Sequence, residues 1–205
     1  RWEVASRKGV LEAPIVVANG LPQDVDGLLG REREDRLVRS VRTGWGAAML
    51  YLQVEDTGLP PGPMHLQARA GGSTEGELVL ASVAPSRGQP TRSATVSTHL
   101  PIGPDMAERV RRVQERMRET LALRVPELSI VSEMTGSPRT FARFTRREQG
   151  RVGGVPRTAG LHNYLQLGPR ERAPGLWLVG DSVFPGQSVL AVTLAGNRVA
   201  RAITR

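Results

Sequence analysis

The tightest constraint on what this chain can fold into comes from residues 175 to 204, GLWLVGDSVFPGQSVLAVTLAGNRVARAIT. Leu176, Trp177, Leu178 and Val179 form an apolar run without polar alternation, the pattern of a strand covered on both faces in an α/β layer. Such a strand would span 176 to 180, with Asp181 emerging at its carboxyl end, the edge where open α/β sheets bind ligands. Pro185 and Gly186 turn the chain, Gln187 and Ser188 are polar, and Ser188 suits the N-cap of a helix of roughly fifteen residues beginning near Val189. The start of that helix would offer N–H groups and a partial positive charge to an electron-rich group placed before it. Ala191, Ala195, Gly196 and Ala200 would keep one side slim, admitting a neighbouring backbone or a flat ligand. An Asp181 carboxylate there could accept hydrogen bonds from sugar or polyol hydroxyls, or simply cap the following turn. Residue chemistry leaves both open.

Upstream, residues 2 to 5 and 10 to 18 read as strands joined by Ser6-Arg7-Lys8-Gly9, a hairpin running into a buried strand. Asn19, Gly20 and Pro22 stop it, and residues 24 to 39 suit a short polar helix. Residues 43 to 55 return to apolar and β-favouring types before the breaker cluster from Gly58 to Pro63, and further strands are predicted at 64 to 69, 77 to 84 and 93 to 100. Closely spaced strands without intervening helices predict an antiparallel sheet. The clearest helix covers 104 to 123, with Pro104 and Asp105 in its first turn. Met106, Val110, Val113, Met117 and Leu121 recur at spacings of four, three, four and four, one apolar stripe for packing on the sheet. Nothing in that stripe asks for a cofactor. A strand near 128 to 134 precedes SPRTFARFTRREQGRVGGVP, residues 137 to 156.

Charge and composition exclude several classes. The 28 basic against 20 acidic residues leave a formal charge of +8, which invites a nucleic-acid reading. The distribution argues against one: the excess is almost all arginine, and Arg109, Arg111, Arg112, Arg116 and Arg118 are interleaved with Glu108, Glu115 and Glu119. Attraction to anionic lipid is compatible with it. With no cysteine there is no disulfide, thiolate metal site or cysteine nucleophile. No apolar run approaches the ~20 residues of a spanning helix, and no signal peptide is recognisable at the start. His65, His99 and His162 are too dispersed for a metal pattern and read as hydrogen-bonded structural residues or substrate-channel linings. Ser182 and Ser188 lack the Gly-x-Ser-x-Gly elbow of a hydrolase. Phe141, Phe144, Tyr164 and Phe184 read as core.

Taken in order, GLWLVGDSVFPGQSVLAVTLAGNRVA resembles the C-terminal flavin-binding segment of the phytoene desaturase and carotenoid isomerase family of FAD-dependent oxidoreductases. The stretch 137 to 156 is similar to that family's Thr-Pro-x-Thr-Phe and Gly-x-x-x-Gly region, with Ser137-Pro138 in place of Thr-Pro, and WEVASRKGVLEAPIVVAN to the hairpin and strand leading back into its flavin domain. MHLQAR and VSTHLPI lean toward carotenoid 3,4-desaturase-like members. The resemblance implies an α/β (α+β) fold: a mixed or antiparallel sheet with helices as substrate domain, plus the C-terminal strand and helix of a Rossmann-like FAD domain. It divides the chain into 1–38, the end of a flavin-domain segment; 39–150, the substrate-binding domain; and 151–205, the returning flavin segment.

The resemblance also assigns residues. Asp181 would hydrogen-bond the ribityl chain of FAD, Gly180 would permit close approach, and Gly186, Gln187, Ser188 and Val189 would form the turn whose N–H groups face the flavin pyrimidine edge. The family often carries glycine where Ser188 stands. The substrate would be a carotenoid or another long apolar polyene, the setting cytoplasmic with peripheral membrane contact. No acid or base stands out as catalytic. A dinucleotide site needs a strand, G-x-G-x-x-G and a helix, and no glycines here comply: Gly44 and Gly46 share the first spacing, but Met49 follows. The expectation is therefore the C-terminal part of a longer enzyme, its other FAD-binding half supplied by the same or another chain. A truncated, non-catalytic relative that holds a lipid or a partner subunit is the alternative.

Overall fold

The computed structural model describes residues 1–32, 35–70, 77–154 and 170–204; His162, Tyr164 and the last two residues of the 137–156 stretch lie outside them. The fold is α+β, divided into two compact units: Arg1–Gly44 with Gly153–Arg205, and Trp45–Val152.

The continuous unit is built on five antiparallel strands, β4 (Trp45–Glu55), β5 (Met64–Arg69), β6 (Leu78–Val83), β7 (Thr91–Pro101) and β8 (Ile130–Gly136), in the order β5-β6-β7-β4-β8. The predicted antiparallel sheet is there, and its inner strands β4, β6 and β7 alternate buried with more exposed residues along most of their length. Gly46, Ala48, Leu50, Leu52 and Val54 of β4 are buried, and β7 pairs with β4 along its whole length, Trp45 opposite Pro101 and Glu55 opposite Thr91. Helix α3 (Met106–Arg124) lays its stripe across that face: Val110, Val113, Met117 and Leu121 join Leu50, Leu52, Val54, Val79 and Val96 in one core, with Met106 partly buried beside it. Burying side chains of this size is worth about 1.5–3 kcal/mol each. Gln114 is buried among them because its Nε2 donates to the Gly136 carbonyl at 3.0 Å. The helix starts later than predicted. Asp105 has φ of 51° and precedes it, its carbonyl accepting from the Glu108 and Arg109 N–H groups.

Helix α4 (Pro138–Thr145) follows β8 through a reciprocal cap, in which the Thr140 N–H donates to Ser137 Oγ and the Ser137 N–H to Thr140 Oγ1. Pro138 fits the first helical position, where no N–H is needed. A 3₁₀ turn (Glu148–Gly150) comes next, and Gly150 is obligatory: a Cβ there would lie 1.8 Å from the Pro138 carbonyl oxygen. Phe144, read as core, is exposed on α4, with the Arg143 guanidinium 5.5 Å from its ring centroid.

The other unit has β1 (Trp2–Ser6) and β2 (Gly9–Ala13) as a hairpin, and β3 (Val16–Ala18), β9 (Arg170–Ala173) and β10 (Leu176–Leu178) as a three-stranded sheet in the order β3-β10-β9. The strand predicted over 10 to 18 is thus two strands. Pro14 cannot donate to a ladder, and the chain leaves its hairpin there to pair in parallel with β10. Nor is its second part buried: Val17 is 48% exposed. The single helix predicted for 24 to 39 is also two, α1 (Pro22–Leu28) and α2 (Arg36–Arg42). Gly30, at φ of 62°, takes the chain out of the first, and the Asp35 carboxylate caps the second by accepting from the Val38 N–H at 3.0 Å.

These helices are tied to the sheet by one buried cluster. Arg172 of β9 donates Nε to Asp26 Oδ1 of α1 at 2.8 Å and Nη2 to Asp26 Oδ2, while its Nη1 reaches Asp35 Oδ2. Arg172 is 8% and Asp26 1% exposed. Burial pushes the Asp35 carboxyl up, but hydrogen bonds from the Val38 N–H and from Arg172, with its charge, outweigh this and hold it below its ordinary value. Helix α5 (Val189–Ile203) closes the unit.

Candidate functional site

Strand β10 delivers the chain to the loop from Val179 to Ser188. The strand is shorter than predicted, ending at Leu178; the Val179 N–H still donates to the Ala18 carbonyl of β3 at 3.0 Å, and Gly180 then turns away at φ of 98°. Because β3 and β10 are parallel, their carboxyl ends lie side by side and place Asn19 next to Gly180. The φ of 98° at Gly180 favours glycine, and a Cβ there would also sit 2.2 Å from Asn19 Oδ1 and push that side chain aside. The sequence reading had used Asn19 only as a strand stop.

Asp181 follows at this edge, half-buried, with Oδ1 accepting from Ser182 Oγ at 3.4 Å. Behind it the backbone is packed so tightly that a Cβ on Gly154 would lie 1.9 Å from the Asp181 carbonyl oxygen and 2.3 Å from the Ser182 nitrogen. Gly153, at φ of 68°, would carry a Cβ 2.5 Å from Gln187 Nε2. Two adjacent glycines thus floor both ends of the loop. The Gly-rich character of 137 to 156 was the sequence signal for them, without indicating what they pack against.

Gly186 is buried at φ of 85°, Gln187 is exposed over Gly153, and Ser188 caps α5, its Oγ accepting from the Ala191 N–H at 3.1 Å. Val189 and Leu190 open the helix with exposed side chains, and their N–H groups precede the first residue that an intrahelical acceptor can reach. The slim side of α5 differs from the predicted one. Ala191 and Ala195 are buried together with Val199, at spacings of four, whereas Ala200 is exposed and Gly196 faces open space. The six residues Gly180, Asp181, Gly186, Gln187, Ser188 and Val189 therefore belong to one loop and helix start that follows the carboxyl end of β10. A half-exposed carboxylate and the N–H groups of a helix start can together hold a ligand that has both hydroxyls and an electron-rich edge.

The other unit offers a surface of a different kind. The face of its sheet away from α3 carries Trp45, Met49 and Tyr51 of β4, Leu80 of β6 and Met134 of β8, the last 72% exposed, among Ser82, Ser93, Thr95 and Ser97. None of these residues belongs to the core that α3 closes. His65 and His99 lie on this face; His65 Nδ1 pairs with Ser82 Oγ at 2.9 Å, the hydrogen-bonded structural role considered for it. Phe141 and Phe184 are half-buried. An open cavity of about 550 Å³ lies between Ile102, Met106, Pro138, Arg139, Ala142 and Gln149. Among the described residues no group of three or more His, Asp or Glu could hold a metal, and no helix is long and apolar enough to cross a membrane.

The similarity is to prolycopene isomerases. Over 70 residues, 33% of this chain, it is 43% identical to the chloroplastic prolycopene isomerase of Arabidopsis thaliana, and over an equal length 40% identical to that of Daucus carota. Prolycopene isomerase 1 of an Oncidium hybrid cultivar is 38% identical over 68 residues. The matched stretch spans only 11–12% of these relatives' own length. No protein-family model matches the chain.

Proposed function

We propose that this chain is the C-terminal part of an FAD-dependent oxidoreductase acting on carotenoid-like polyenes by desaturation or isomerisation. In this reading the unit that carries β10 and α5 belongs to a Rossmann-like flavin domain and the five-stranded sheet to the substrate domain. The observation that supports it is the loop from Val179 to Ser188, where a half-buried Asp181 follows the carboxyl end of a parallel strand pair and the capped start of α5 follows in turn, the order to which the family resemblance assigns flavin contacts. The similarity to prolycopene isomerases over a third of the chain supports the substrate class.

The residues present fit such a group. Asp181 accepts hydrogen bonds, as ribityl hydroxyls require, and the loop backbone from Gly186 to Val189 supplies donors to the pyrimidine edge. The floor of Gly153 and Gly154 holds that backbone in place without side chains of its own. When bound, FAD supplies a two-electron acceptor that no side chain can provide. The chain's own work is to hold, orient and keep dry: the open sheet face, apolar at Trp45, Met49, Leu80 and Met134, would lie along an elongated hydrocarbon. A substrate of that solubility brings with it peripheral membrane contact.

The test is flavin retention in the chain joined to, or complemented by, a dinucleotide-binding half. Loss of a hydrogen bond to a charged acceptor costs about 1.5–3 kcal/mol, so Asp181→Ala should weaken FAD binding by roughly tenfold to a hundredfold. Unchanged flavin affinity and polyene turnover would remove Asp181 from the site. A complemented protein that takes up no flavin would favour the non-catalytic, lipid- or partner-holding relative.

A further inference from the structure

We infer that the open cavity between the start of α3 and α4 is a second binding site, taking an apolar chain that ends in a carboxylate. The site stands apart from the flavin reading. Every residue lining it belongs to the unit Trp45–Val152, and it lies on the other side of that unit's sheet from the face proposed for the polyene.

Gly46 settles the side. It falls in step with Ala48, Leu50, Leu52 and Val54, the β4 residues that pack toward α3, whereas Trp45 and Met49 alternate to the opposite face. A Cβ on Gly46 would lie 2.6 Å from Ile102 Cδ1 and 2.7 Å from Pro138 Cγ, two of the side chains that line the cavity. Ile102 and Pro138 therefore close over β4 and form an apolar floor. Met106, packed on the α3 core, and Ala142 of α4 supply apolar walls. The volume of about 550 Å³ falls within the range of small-molecule sites, about 300–1,000 Å³, which are largely apolar with a few placed polar groups.

The polar groups here are Arg139 and Gln149. Arg139 is exposed in the first turn of α4 and makes no ion pair among the described residues. Arg109 sets a second positive charge beside the wall: its Nη2 and Nη1 donate to the Pro101 and Pro104 carbonyls at 2.9 and 3.2 Å, and a Cβ on Gly103 would lie 2.9 Å from Nη1. Of the acids closest in sequence, Glu108 pairs with Arg112 and Glu148 with Arg151, leaving Asp105 against Arg109 and Arg139. Gln149 holds φ of 53°, a conformation that residues with a Cβ seldom keep and that recurs at binding sites. The reciprocal cap of α4 already uses the Ser137 and Thr140 N–H groups, so a head group would meet a guanidinium and an amide. A planar guanidinium matches the two oxygens of a carboxylate.

Methionine makes the test specific to one face. Met106 lines the cavity, whereas Met49 and Met134 lie on the opposite side of the sheet. The probe is laurate, titrated into the chain carrying isotope-labelled methionine methyl groups and followed by NMR and calorimetry. The expected result is saturable binding that shifts the Met106 methyl and leaves those of Met49 and Met134 in place. Arg139→Gln should weaken laurate binding about tenfold or more, and dodecanol, which lacks the charge, should bind the unaltered chain weaker by a similar factor. Ala142→Leu fills the cavity from its wall and should weaken both ligands alike, with circular dichroism showing that the variant is folded. The absence of saturable binding overturns the inference. So do shifts at Met49 and Met134 without Met106, which would place the acid on the open sheet face. Undiminished laurate binding by Arg139→Gln, or dodecanol bound as tightly as laurate, overturns the carboxylate assignment. Flavin uptake by a complemented protein bears on none of these results, so either reading can fail alone.

Discussion

Removing the Arg172 guanidinium should strongly destabilise the unit that carries the candidate loop, and the reason is the company Arg172 keeps. Its partner Asp26 is 1% exposed on α1, and the guanidinium makes two hydrogen bonds to that carboxylate while a third reaches Asp35 at the start of α2. An Arg172→Met substitution fills similar volume but leaves the Asp26 charge buried without its counter-ion, a fault that costs about 3–5 kcal/mol. With a urea slope of about 2 kcal/mol per molar, the midpoint should fall by about 1.5–2.5 M. The chain has 3 tryptophans. Trp2 and Trp177 lie in this unit and Trp45 in the other, so fluorescence in a Trp45→Phe background reports the relevant transition. Joining Arg172→Met with Asp26→Leu removes both charges together and should recover at least half of the loss, because an apolar pair of similar size avoids the desolvation penalty. A shift below about 0.5 M for the single variant, or a double variant no better than the single one, would refute the account of this cluster as a coupled buried pair.

Two further outcomes follow from local geometry. Gly154→Ala puts a Cβ 1.9 Å from the Asp181 carbonyl oxygen, where neither backbone can yield, and should cost at least about 2 kcal/mol; Gly196→Ala has open space in the middle of α5 and should gain about 0.5–1 kcal/mol, so a thermal midpoint that holds or rises for the first, or falls for the second, would contradict the corresponding reading. The folded Asp35 carboxyl is held below its ordinary value, so it contributes stability that is fully present above the unfolded value near pH 4 and is lost as pH falls through the folded one. Asp35→Asn should therefore flatten the acid limb of the unit's stability profile below about pH 4, and an unaltered limb in acid titration of the two proteins would show that the Val38 and Arg172 bonds do not hold it.

How much of this could be read beforehand depended on whether the signal was local. The stripe of Val110, Val113, Met117 and Leu121, the closely spaced strands of an antiparallel sheet, and the Ser188 cap are each decided by short stretches, and the structure has all three. Element boundaries failed where a single residue overrode the pattern: Pro14 split one predicted strand, and Gly30 with Asp35 split one predicted helix. The slim face of α5 was misread for another reason. Small residues at Ala191, Ala195, Gly196 and Ala200 suggest one side, but only the partner surface selects which are buried, and it selected Val199 over Gly196 and Ala200.

The candidate loop divides in the same way. Periodicity, turn residues and the order strand, Gly-Asp, Pro-Gly, helix are properties of neighbours along the chain, and they were enough to mark residues 176 to 203 as a strand, a loop and a capped helix. That Asn19 lies against Gly180, that Gly153 and Gly154 floor the loop, and that Arg172 joins β9 to Asp26 146 positions away, are contacts between residues remote in sequence. Their energies depend on close approach and burial, which exist only once the chain has folded, so no local pattern could announce them. The sequence alone determined which stretch carries the site; the tertiary structure decided which other residues hold it there.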